Sequence, residues 1–164
     1  MAKAKLTHLD QTGAVRMVDV SGKAATLRRA VARGTVVFGA EAFRLLRANK
    51  LAKGDALAVA RLAGIQAGKR TAEWIPLCHT VPLTRLDVAV SLVPRGRLAR
   101  ITATAEARWS TGVEMEALVA VSAAALALYD MAKAVDRAIA IEGIVLVEKS
   151  GGRSGTWRRG GRQP

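Results

Sequence analysis

Apolar and polar residues alternate over Arg85–Val93 (RLDVAVSLV) and again over Arg100–Arg108 (RITATAEAR), the two-residue period of half-buried strands. Pro94-Arg95-Gly96 between them supplies turn chemistry, so a hairpin is predicted. Elsewhere the period is helical. Ala42, Leu45 and Leu46 fall at i, i+3 and i+4, with Phe43 at the edge of their face, and predict a short helix over Ala40–Asn49. Ala56 to about Ile75 reads as a second helix, rich in small residues and halted by Pro76. Thr111 to about Asp136 is a long Ala-rich helix, and Thr111-Gly-Val-Glu114 fits a capping box at its start. Ile139–Lys149 returns as a strand, followed by a loop over Ser150–Gly155. Val15–Val20 reads as a short extended piece ending at Ser21-Gly22. Ala24–Phe38 is divided: Ala, Leu and Arg favour helix, whereas Gly34-Thr-Val-Val-Phe38 favours strand, and periodicity leaves both open. Residues 1–14 read as a flexible leader, 15–155 as one domain and 156–164 as a disordered basic tail. Strands and helices mixed in one domain with an antiparallel hairpin place the chain in the α+β class.

Composition narrows this. A chain of 164 residues that is 51% apolar can bury one core and is not disordered throughout. With aromatics at only 4%, that core must be built from Ala, Val, Leu and Ile. No run approaches the roughly 18 apolar residues of a membrane span, and the lysines near the start have no apolar stretch behind them to make a secretory signal. A single cysteine excludes an internal disulfide and points to a reducing compartment, hence the cytoplasm. The net charge of +13 attracts polyanions: nucleic acid, anionic lipid or phosphate-rich small molecules. These charges are scattered along the chain, so they do not choose between a nucleotide and RNA.

Candidate chemistry is local. Gly64-Ile-Gln-Ala-Gly68-Lys69 has one residue too few between its glycines for a Walker A loop and lies within a helical pattern. Lys149-Ser-Gly-Gly-Arg153-Ser-Gly155 is different, because its glycines let backbone amides turn toward an anion with Lys149 and Arg153 at hand; a floppy connection fits it equally well. His8, Cys78 and His79 are the only imidazole or thiol ligands, and Cys78 next to His79 seldom grips one zinc, so no metal site is predicted. On the long helix, Glu114 and Glu116 at the start and Lys133 at the end complement the helix dipole. Asp130 opposes it and stands three residues from Lys133, close enough to pair as a surface decoration or as an acid/base unit. Glu116 and Asp130 are 14 residues apart, so they share a helix face about 21 Å apart, too far for one small substrate to touch both in one chain. If both ends serve one site, a second subunit must bring its own helix alongside, and an oligomer with sites at subunit boundaries is predicted.

Taken in order, His8, Met17-Val-Asp-Val-Ser21, Lys53-Gly54-Asp55, Ala60-Arg-Leu-Ala-Gly-Ile-Gln66, Lys69-Arg70-Thr71, Ile75-Pro-Leu-Cys-His79, Thr111-Gly-Val-Glu-Met-Glu-Ala-Leu118, Tyr129-Asp-Met131, Lys133-Ala-Val135 and Lys149-Ser-Gly-Gly152 closely resemble the molybdenum-cofactor biosynthesis protein C (MoaC) family. The resemblance runs from about Leu6 to Gly155. It implies a ferredoxin-like α+β fold with Ala24–Phe38 as a strand, and a homo-hexamer built as a trimer of dimers with sites at the dimer boundary. It implies a lyase, cyclic pyranopterin monophosphate synthase. The implied substrate is 3′,8-cyclo-7,8-dihydro-GTP, delivered by a radical S-adenosylmethionine GTP cyclase, and the products are cyclic pyranopterin monophosphate and diphosphate. No resident cofactor is implied, although magnesium could accompany the triphosphate; neither a membrane nor a nucleic acid is required. Carried over residue by residue, the resemblance makes Asp130, Lys133 and Lys149 catalytic. It puts substrate contacts on Leu77, Cys78, His79, Glu114, Met115, Glu116, Asp19, Lys23, Lys53, Lys69 and Arg153. Arg153 stands where the family more often has Lys, and Thr80 where it usually has Pro. The competing reading is a nucleic-acid-binding module, supported by the charge and the Arg-rich tail, which gives Asp130 no role. A family member that has lost activity and serves as a scaffold ranks below both, because every motif acid and base is present.

Overall fold

The alternating segments form the predicted hairpin, and the rest of the sheet is assembled on it. In the computed structural model, which describes residues 13–153 and 155–160, the elements are β1 (Thr26–Val37), α1 (Ala40–Arg47), α2 (Ala56–Gly68), α3 (Thr71–Trp74), β2 (Arg85–Val93), β3 (Leu98–Trp109), α4 (Glu114–Ala132), β4 (Ala140–Ser150) and β5 (Trp157–Arg158). The sheet order is β2-β3-β1-β4-β5, antiparallel throughout. Its first four strands, with α2 and α4 packed on the sheet, give the ferredoxin-like α+β arrangement. The leader expected over residues 1–14, His8 with it, falls outside the described residues, apart from positions 13 and 14.

The divided segment is a strand, and its surroundings show why. β1 is central, paired along its length with β3 and with β4. Ala30, Ala32, Gly34 and Val36 are buried, while the intervening Arg29, Val31, Arg33, Thr35 and Val37 are half-buried. Two neighbours satisfying its backbone outweigh the modest helix preference of Ala, Leu and Arg.

The core follows from the poverty in aromatics. Ala103 and Ala105 of β3 and Ala117, Ala120, Ala124 and Ala125 of α4 are fully buried, with Phe38, Ile101 and Leu128 as the large side chains. Small residues let α2 and α4 approach closely. A Cβ on Gly64 would lie 2.8 Å from the carbonyl oxygen of Ala120, and one on Gly68 would lie 3.0 Å from the carbonyl oxygen of Glu116. The glycines that fail as a phosphate loop are therefore a helix-packing device. Asp55 caps α2, its Oδ1 accepting from the amides of Leu57 at 3.1 Å and Ala58 at 3.0 Å.

Several expectations need correction. The helix expected over Ala56–Ile75 breaks at Lys69-Arg70 into α2 and α3. α4 begins at Glu114 with Val113 as its N-cap and no side-chain cap, so the capping box at Thr111 does not form. Val15–Val20 makes one bridge, at Val15, and no strand. Trp157 and Arg158, expected in an unstructured tail, pair with β4. By length and composition α4 also reaches what a membrane crossing needs, but 61% of that window is buried inside the domain, where it serves as the core helix.

On the sheet face opposite α4, charges alternate across the strands. Arg29 reaches Glu106 at 3.3 Å and Glu148 at 2.9 Å, Arg85 approaches Glu106 at 3.8 Å, and Arg158 meets Glu148 at 3.0 Å. Opposite charges on adjacent strands stabilise the pairing register.

Candidate active site

Two clusters form, one at each end of α4. At the N-terminal end, α3 stops at Trp74 and the chain runs through Ile75-Pro76 into a loop that presents Leu77, Cys78 and His79. These three face Glu114, Met115 and Glu116 of the first turn of α4, with Lys23, across a cleft of about 470 Å³. The imidazole of His79 is fixed by donating from Nε2 to the carbonyl of Val18 at 2.9 Å. Asp19, Lys23 and His79 share the adjoining recess with Ser110. The Asp19 carboxyl is lowered below its ordinary pKa, first by the backbone amide of Ser21, which donates to its Oδ1 at 2.8 Å. Lys69, at the break between α2 and α3, lines a small rear cavity with His79 and Glu116.

The last strand brings in the remaining cations. Lys149, Gly152 and Arg153 line a wider cleft of about 740 Å³ with Lys23, Arg28, Ser110, Gly112 and Glu114. Gly151 has φ +98, and a Cβ there would lie 2.0 Å from the carbonyl oxygen of Leu27, so only glycine lets the loop lie against β1. Lys23 and Glu114 line this cleft and the one before His79, so the two are continuous. Imidazole, thiol and carboxyl groups at one end and cations at the other suit a ligand with a ring and a phosphate tail.

Glu116 is the unusual group. Its side chain is buried (4% exposed) and its Oε2 has no hydrogen-bond partner among the described residues. Burial pushes its pKa from 4.5 up to about 7, with the neighbouring Glu114 adding to the rise. Burial likewise pushes the Cys78 thiol up, with the Glu116 charge adding to it. A carboxyl poised near neutrality beside a cleft can donate or accept a proton.

The second cluster lies at the C-terminal end of α4. Asp130 Oδ1 meets Lys133 Nζ at 2.7 Å, and Asp130 Oδ2 meets Lys53 Nζ at 2.6 Å. Lys53 also donates to the backbone carbonyl of Asp130 at 2.9 Å. Hydrogen bonds from Lys133 and then Lys53 hold the Asp130 carboxyl at about 2, and the same partnership raises Lys133. All three side chains are exposed, and none lines the clefts that hold His79 or Lys149. One chain therefore separates Lys53, Asp130 and Lys133 from the other eleven predicted residues, as the span along α4 requires.

Arg28 joins the site without having been predicted from the sequence. It donates to the carbonyls of Trp109 and Ser110, both at 3.3 Å, and lines the cleft beside Lys149 and Arg153. The available signal was a basic residue at the start of a segment whose secondary structure periodicity could not decide.

A ferredoxin-like domain with an acid- and imidazole-lined cleft running into a row of cations defines a candidate enzyme for a nucleotide-like substrate. The MoaC family model matches residues 17–152, and the chain belongs to that family. It is 58% identical over 156 residues to the cyclic pyranopterin monophosphate synthase of Thermomicrobium roseum, covering 95% of this chain and 94% of that protein. It is 55% identical over 158 residues to the enzyme of the same name from Chloroflexus aurantiacus, covering 96% and 97%. The corresponding protein of a Methylobacterium species is 58% identical over 156 residues, covering 94% and 96%.

Proposed function

We infer that the chain is a lyase of molybdenum-cofactor biosynthesis, converting 3′,8-cyclo-7,8-dihydro-GTP to cyclic pyranopterin monophosphate and diphosphate. The observation that carries the reading is the continuous cleft in which Glu116 and His79 face one end and Lys149, Arg153 and Arg28 the other. Rebuilding a purine into a pterin moves protons among ring nitrogens and carbons, which calls for acids and bases within reach. Closing a cyclic phosphate while diphosphate leaves calls for cations on the phosphates, the part of Lys149, Arg153 and Lys23. The amides at the start of α4 add donors for polar or anionic atoms.

Asp130 and Lys133 act as the acid/base pair, with Lys53 holding the carboxylate. Because one chain keeps them away from His79, the reading assigns them to the cleft of a second protomer. Each site is then shared between two copies, in a homo-hexamer made of dimers. The reaction runs on these side chains, with magnesium, where needed, arriving on the triphosphate. It follows a radical S-adenosylmethionine GTP cyclase and takes place in the cytoplasm, in keeping with one cysteine kept as a thiol.

Incubating the protein with the cyclised dihydro-GTP and scoring pterin product and diphosphate tests the reading. Stoichiometric release of both supports it. Failure to release either, together with steeply salt-dependent binding to RNA, would favour the nucleic-acid module.

A further inference from the structure

The family model ends at Gly152, and β5 begins at Trp157. Without β5, the end of β4 that carries Lys149 would be a sheet edge. On one side Lys149 pairs with Ala30 and Glu148 with Val31 of β1; on the other Lys149 pairs with Trp157 and Glu148 with Arg158. The pairing is reinforced by side chains. Arg158 Nε meets Glu148 Oε2 at 3.0 Å, while Glu148 Oε1 is held from β1 by Arg29 at 2.9 Å. Arg159 donates from its backbone amide to the carbonyl of Val147 and from Nε to the carbonyl of Leu146, both at 2.9 Å. β4 and β5 so close a hairpin whose loop carries Gly152 and Arg153 into the cleft wall beside Lys149. Within that loop the amide of Gly155 donates to the carbonyl of Gly152 at 3.2 Å.

We propose that Trp157–Arg159 is a strap that positions Lys149 and Arg153 to receive the phosphates of the substrate; this rests on the functional reading above. A glycine-rich loop anchored at one end must be ordered each time an anion binds, and that cost is subtracted from affinity. The strap orders the loop beforehand. Arg158 touches Glu148 and does not line the cleft, so it acts through the hairpin and not on the reacting atoms.

The test compares the full chain with Arg158→Ala, Arg158→Lys and a chain ending at Thr156. KM for the cyclised dihydro-GTP and the inhibition constant of inorganic diphosphate should rise about tenfold in Arg158→Ala and in the shortened chain. kcat should fall by less than KM rises, since the ordering cost is met when the substrate binds and the cations are in place once it is bound. Arg158→Lys should recover most of the loss, because the contact to Glu148 is made through one nitrogen. An unchanged KM and inhibition constant in both altered chains would overturn the proposal, as would a fall in kcat that follows a lowered urea midpoint. If the full chain gives no turnover, the functional reading fails by itself. Calorimetric binding of diphosphate to the same four proteins then decides the strap: tenfold weaker binding without it supports the role, and equal binding removes it.

Discussion

Replacing Glu116 by Gln isolates the one buried carboxyl in the cleft. Its pKa rises from 4.5 to about 7 on folding. Between those values the folded chain holds a proton that the unfolded chain has released, so stability is full below about pH 4.5 and declines as the pH rises toward 7. At 1.36 kcal/mol per pKa unit, the loss is about 3 kcal/mol. The introduced amide is neutral at every pH and nearly isosteric with the protonated acid. Glu116→Gln should match the wild type at pH 5 and exceed it by about 2–3 kcal/mol at pH 8. Urea unfolding across that range, at one fixed protomer concentration, measures the difference. All other titrating groups are common to both proteins and cancel. Parallel stability curves from pH 5 to 8 would refute the assignment of a proton-holding carboxyl to Glu116. Turnover measured on the same samples tells whether that proton is used: the variant should lose about 10²-fold or more in kcat if Glu116 transfers it.

Lys133→Ala should lower kcat by about 10²–10⁴-fold with a thermal midpoint close to wild type, since its pair with Asp130 is exposed; full turnover would remove Lys133 from the chemistry. Gly64→Ala gains about 1 kcal/mol of helix propensity but forces its Cβ onto the Ala120 carbonyl oxygen, at a cost of about 1–3 kcal/mol. A lower urea midpoint is expected, and a higher one would contradict the close α2–α4 packing. Asp55→Ala removes the cap of α2 and should cost about 1 kcal/mol, read in the same assay; no change would mean that the cap is dispensable.

The sheet was legible wherever one face is buried and the other is not. β2 and β3 alternate cleanly and make a hairpin, as their period and turn residues predict. β1 was legible through the family resemblance but not through its own period, because its Ala, Leu and Arg carry little local preference for a strand and its strand state is imposed by β3 and β4. The break at Lys69-Arg70 was hidden for a related reason, since small residues on either side continue a helical composition across it. The capping box failed because Val113, and not Thr111, occupies the N-cap. Of the candidate site residues, the structure gathers around the clefts those next to a strong punctuation signal: the loop after Pro76, the first turn of α4 and the glycines after Lys149. Arg28 was missed because its role comes from lying across the sheet from Trp109 and Ser110, a proximity the local pattern does not encode. β5 was missed because two residues are too few to show a period.

Mixing two inactive variants tests most directly whether each site is built from two copies. His79→Ala and Asp130→Asn proteins, each first assayed alone and expected to lack turnover, are combined under conditions that let protomers exchange. If His79 of one copy works with Asp130 of its partner, a mixed pair holds one intact site and one doubly altered site, and random exchange restores about a quarter of wild-type activity. A mixture that stays inactive while exchange is complete would place both residues in a site within one chain and contradict the shared cleft.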